Sequence, residues 1–244
     1  MNKKCLIALL TASIASPAWS ITYNDTITAI FGSGNPDTAW TSQAGPNGME
    51  LALRGKPRTT SIPPNTNGIY SFATGTVGTG TSTRAIWNWE FSINSGNVSL
   101  DSTYDYYVGI DLDPTQGVNL TVVNAMINPY WSDNEYGTSS TLNGAGLKPS
   151  EVGFTSLSNY TISQNSQNLV FAGGNPFLNA TYDYQLFAVA KTDPNGAAGV
   201  KVANVGIQVV VGTGGTAVPD SGSTLVLIGG LLASFAFFGS RRRS

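Results

Sequence analysis

The chain contains no histidine and one cysteine, Cys5. A lone cysteine cannot form a disulfide within its own chain. Past Cys5 there is no thiol and no imidazole. Ser-His-Asp triads, thiolate–imidazole dyads, ordinary zinc sites and haem ligation through His or Cys are therefore excluded. Charge is also scarce, at 11% of residues. Between the two termini the basic residues are Arg54, Lys56, Arg58, Arg84, Lys148, Lys191 and Lys201, and acidic residues outnumber them. Nucleic-acid binding needs a basic face that displaces counterions, and none is present. The local concentration Arg54-Lys56-Arg58 reads as a solvated loop beside Pro57.

Thr, Ser, Asn and Gly are plentiful instead, and apolar residues alternate with them at the strand period of two. In Trp87 to Asn94, the residues Trp87, Trp89, Phe91 and Ile93 share one face, while Asn88, Glu90, Ser92 and Asn94 share the other. Ser95-Gly96-Asn97 then reads as a turn. Tyr104 to Leu112 repeats the pattern, as do Val205, Ile207, Val209 and Val211. No amphipathic helix is evident between these runs. The expected fold is all-β: one antiparallel, jelly-roll-like sandwich.

A weak internal echo runs through this pattern. Thr103-Tyr104-Asp105-Tyr106 leads through a strand to Asp113-Pro114, and Thr181-Tyr182-Asp183-Tyr184 leads through another to Asp193-Pro194. Both read as strand, Asp-Pro turn, strand. Duplication accounts for it, and so do two similar hairpins on opposing sheets.

The termini are of a different character. Lys3 and Lys4 precede an apolar run, and Ala18-Trp19-Ser20 supplies the small residues a signal peptidase prefers, so 1–20 is expected to be a secretion signal. Residues 21–217 then form the exported body. At the other end, Val218-Pro219-Asp220-Ser221-Gly222 is an extended or turned motif, because Pro219 keeps Val218 out of the helical region. An uncharged stretch follows. Leu225 to Phe238 would be about 21 Å long as a helix, against roughly 30 Å of bilayer core, and its flanking uncharged residues bring 223–240 close to a spanning length. Arg241, Arg242 and Arg243 would stay on the cytoplasmic side.

This motif–helix–arginine order resembles the PEP-CTERM group of bacterial sorting signals, in the variant whose motif begins VPDSG. The resemblance implies a membrane-embedded exosortase partner that recognises Val218 to Gly222 and cuts near it. It also implies a single transmembrane helix in the precursor and an association with exopolysaccharide and biofilm. It covers 218–244 and does not reach the body.

Three places in the body could carry chemistry. Asp105, Asp111 and Asp113 fall on one face if their strand continues to Asp113; carboxylates gathered around that turn would suit Ca²⁺, the one cofactor considered. The same residues would otherwise face solvent. Tyr130, Trp131, Asp133, Glu135 and Tyr136 place aromatic and acidic groups in an irregular segment suited to sugar stacking, or to a loop folded over the sandwich rim. Glu90 is the glutamate most securely placed on a strand. It faces away from Trp87 and Trp89, so it reads as exposed rather than as half of a glycosidase pair. The sequence points to an exported, non-catalytic surface or matrix protein, with a carbohydrate-binding sandwich as the alternative and a carboxylate-dependent hydrolase behind both.

Overall fold

The structure, a computed structural model, describes residues 19–32, 35–80, 83–126, 134–152 and 157–217. The segment expected to be a sorting tail, 218–244, and residues 1–18 of the expected secretion signal lie outside them. Among the described residues strand accounts for 44% and helix for 8%, and no helix among them forms a layer. In chain order the first strands are β1 (Ile21–Asp25), β2 (Trp40–Ala44), β3 (Glu50–Pro57) and β4 (Ile69–Phe72). Next come β5 (Thr76–Val77), β6 (Arg84–Ala85), β7 (Trp87–Asn94), β8 (Tyr104–Asp111) and β9 (Leu120–Asn124). The last are β10 (Glu135–Gly137), β11 (Ile162–Asn168), β12 (Ala180–Ala190) and β13 (Lys201–Val211).

A six-stranded sheet, ordered β1-β2-β3-β7-β11-β10, faces a five-stranded sheet ordered β4-β13-β12-β8-β9, and β5 and β6 form a small ribbon. Every pairing is antiparallel except β4 with β13. The result is a β-sandwich-like, all-β fold. The winding proceeds by hairpins kept within a sheet, at β1–β2–β3, β8–β9 and β12–β13.

The aromatic residues anticipated for the core fill the space between the sheets. Trp87, Trp89, Phe91 and Ile93 of β7 meet Tyr104, Tyr106 and Val108 of β8 and Tyr182, Tyr184 and Leu186 of β12. Trp89 stacks on Tyr184 with ring centroids 4.8 Å apart, and Trp87 stacks on Phe72 at 5.6 Å. Such pairs add about 0.5–1.5 kcal/mol each beyond the apolar area they bury. The turn after β7 depends on its glycine. Gly96 has φ +73°, and a Cβ there would lie 2.3 Å from the Asn47 carbonyl oxygen.

Three expectations are corrected. Arg54-Lys56-Arg58 is no solvated loop, because Arg54 and Lys56 lie within β3 and Arg54 is fully buried. Glu90 is not exposed. It sits directly opposite Arg54 in the β3–β7 ladder and is likewise fully buried. The cause is a third layer that period-two alternation cannot reveal. Residues 26–32 and 35–39 strap the outer face of the six-stranded sheet, where Ile27, Phe31, Trp40 and Ala52 form a second apolar cluster. Gln164 pins the strap by accepting from the Ile30 N–H at 2.8 Å and donating to the Thr28 carbonyl at 2.7 Å.

The third correction concerns the echo. Its two hairpins share one sheet and do not oppose each other. β8 and β12 are antiparallel neighbours, and Val108 pairs with Leu186. Each of these residues stands four positions after the first tyrosine of its TYDY segment, so a local two-fold axis passes between them. Tyr106 opposite Ala188 and Tyr184 opposite Ile110 are related by that axis.

Candidate functional site

The residues singled out as metal ligands are spread around the first hairpin. Asp111 is fully buried; its carboxylate accepts the Asp113 N–H and the Asn119 N–H, each at 2.9 Å, and so clamps the β8–β9 turn. Asp113 accepts the Thr115 N–H at 2.9 Å. Asp105, on β8, lies 3.9 Å from Lys191 at the surface. Among the described residues no three His, Cys, Asp or Glu side chains are grouped to hold a metal ion. Of the proposed sugar-contact segment, Tyr130, Trp131 and Asp133 lie outside the described residues. Glu135 is half-buried on β10, and Tyr136 is buried against the core with its ring 6.1 Å from Tyr160. Burial pushes the Tyr136 phenol above its ordinary range, with a hydrogen bond to Asn134 opposing the shift.

The outer face of the five-stranded sheet holds a trough of about 300 Å³ that the sequence reading did not single out. Side chains there follow the pleat: where Tyr182, Tyr184 and Leu186 turn inward, Asp183, Gln185 and Phe187 turn outward. Gln185 is paired with Gly206 on β13 and with Gly109 on β8. It therefore has no side chain directly beside it in either neighbour. Leu120 folds over Gly109, meeting a Cβ there at 3.2 Å, whereas the nearest contact to a Cβ at Gly206 is the Tyr184 carbonyl oxygen at 3.6 Å. Gly206 is the open floor. Val118 and Leu120 form one wall, Asn67 to Ile69 the other, and Asp183 and Gln208 one end.

The polar groups are partly committed. Lys201 donates to Gln185 Oε1 at 2.8 Å and lies 4.3 Å from the centre of the Phe187 ring, which stacks on Tyr107 at 5.4 Å. Gln208 donates to Asp183 Oδ1 across 3.4 Å, while Oδ2 is enclosed without a hydrogen-bond partner. Burial raises the Asp183 carboxyl above its ordinary 3.8; Gln208 opposes the shift and the charge on Asp111 adds to it. The trough thus presents amides, one carboxyl of weakened acidity and aliphatic walls. That chemistry suits a neutral, hydroxyl-rich chain: amides and carboxyl take the hydroxyls, and the walls take the C–H faces.

Comparison with protein-family models, curated proteins and solved structures finds no match. The trough's own signal was present in the sequence. Glycine inside a strand weakens it, and often marks close approach by a ligand or another backbone. Gly109 and Gly206 are two such glycines, each in an otherwise regular alternating run.

Proposed function

We propose that this is an exported, non-catalytic surface or matrix protein, delivered by its tail and associated with a neutral exopolysaccharide through the trough on its five-stranded sheet. In this reading an exosortase handles Val218 to Gly222, 223–240 spans the membrane in the precursor, and Arg241 to Arg243 hold it from the cytoplasmic side. The body then reaches the cell surface or the extracellular space. The observation that carries the polysaccharide reading is the open floor at Gly206 between aliphatic walls and the Asp183–Gln208 end.

The non-catalytic reading is supported by the carboxylates. Hydrolysis of a glycosidic bond ordinarily uses a pair of them flanking the bond. Asp183 is the acid among the trough's described lining, and both oxygens of neighbouring Asp111 are engaged by backbone N–H groups. No metal is needed for such binding.

The test is affinity electrophoresis of the protein through gels containing the host exopolysaccharide or a neutral glucan. Retardation is expected, with Gly206→Val abolishing it. Valine suits a strand, and Gly206 has open space above it, so the variant should melt no lower than the parent. Equal retardation of parent and variant would remove the trough from the account, and no retardation of either would remove the polysaccharide.

A further inference from the structure

On the opposite face of the sandwich, three side chains of complementary reactivity meet beneath the strap. Lys56 Nζ lies 2.6 Å from Asn35 Oδ1 and 3.5 Å from Glu90 Oε1. Arg54 donates to the same Asn35 oxygen through Nη2 at 2.9 Å, and binds Glu90 Oε2 through Nε at 2.6 Å and Nη2 at 2.5 Å. Glu90 Oε1 is enclosed and has no hydrogen-bond partner. Arg54 and Glu90 are sealed from solvent, Asn35 is 8% exposed, and the Arg54 guanidinium lies 4.2 Å from the centre of the Trp40 ring.

We propose that Lys56 and Asn35 join in a spontaneous side-chain amide cross-link, with Glu90 carrying the proton. An amine, a carboxamide whose oxygen is polarised by a guanidinium, and a dry carboxylate are the parts an amide exchange needs. Their fixed placement substitutes for a high concentration of amine. Lys56 Nζ passes a proton to Glu90 Oε1 and adds to Asn35 Cγ, forming the Nζ–Cγ bond. The negative charge that develops on Oδ1 is met by the Arg54 guanidinium. The adduct's Nζ still carries two hydrogens; one of them passes to Nδ2 as the Cγ–Nδ2 bond breaks, Glu90 returns its own proton to the departing ammonia, and ammonium leaves. No oxidant, metal or cofactor takes part, and Glu90 ends as it began.

The product ties the strap to β3 covalently. An exported chain whose only cysteine is Cys5 would gain by this route a staple that no reductant opens.

Peptide mapping of the full chain by mass spectrometry, after denaturation, tests the proposal. The peptides holding Asn35 and Lys56 are expected to appear as one branched species, lighter than their sum by about 17 Da, the mass of ammonia. Lys56→Arg, which keeps the charge, and Asn35→Ala should each abolish the branched species. Separate, unmodified peptides from the parent chain would overturn the proposal. So would a parent chain whose only ammonia loss lies in an unbranched peptide and persists in Lys56→Arg, since succinimide formation at Asn47-Gly48 gives the same mass. The mapping of the parent chain decides the matter even if a variant does not fold.

Discussion

Asp183 stands where stability and binding pull in opposite directions. Its folded-state carboxyl is raised, chiefly by burial, so between the ordinary 3.8 and the folded value the native chain holds a proton that the unfolded chain has lost. Stability therefore falls as pH rises through that window and stays lower above it. Asp183→Asn removes the charge but keeps an oxygen for Gln208. Thermal unfolding should show the variant melting higher than the parent at neutral pH, with the gap closing in acid; a lower melting point at neutral pH would contradict this origin of the shift. A wild-type carboxyl kept at this cost fits a group retained for a ligand. Arg54 and Glu90 show what residue-scale reading could not reach. Alternation placed Glu90 correctly on the face opposite Trp87 and Trp89, whereas Arg54 was read as part of a loop. Whether that face is wet depends on 26–32 and 35–39 crossing it, a contact between residues far apart in sequence.

At the scale of elements, the strands were the most legible part of the chain. The expected strand at Trp87 to Asn94 is β7 at the same bounds, and that from Tyr104 is β8, one residue shorter than read. Both hairpin turns of the echo were also anticipated, but the roles of their aspartates were not. In the second hairpin the turn residue itself, Asp193, is the clamp, accepting from Asn195 N–H at 3.0 Å and Val200 N–H at 2.9 Å. In the first, the clamp is Asp111, two residues before the Asp-Pro step. Side-chain-to-backbone bonds of this kind depend on how the turn closes, which strand periodicity does not encode. Asp111→Ala would remove the acceptor of two part-buried N–H groups, at a total cost of about 1–3 kcal/mol. Asp113→Ala removes a single bond at a half-buried position and should cost less. Urea unfolding of the two variants ranks them, and equal midpoints would show that Asp111 is not the clamp of this turn.

The whole molecule divides into a folded body and terminal segments of different composition, and the boundary can be tested. β13 ends at Val211, yet the chain beyond it is still tied down. Gly212 N–H donates to the Phe72 carbonyl at 2.8 Å and Gly215 N–H to Thr181 Oγ1 at 2.9 Å. Gln116 N–H donates to the Thr216 carbonyl at 3.0 Å, which joins this stretch to the β8–β9 turn. The VPDSG motif starts two residues after that last tie, so a protease acting there would meet chain that none of these bonds holds. A protein ending at Ala217 should therefore unfold at the same denaturant midpoint as one ending at Gly222. One ending at Val211 loses all three bonds and should unfold earlier. Were the Ala217 form also destabilised, the motif would be part of the body's fold, and cutting near it would be a structural event as well as a sorting one.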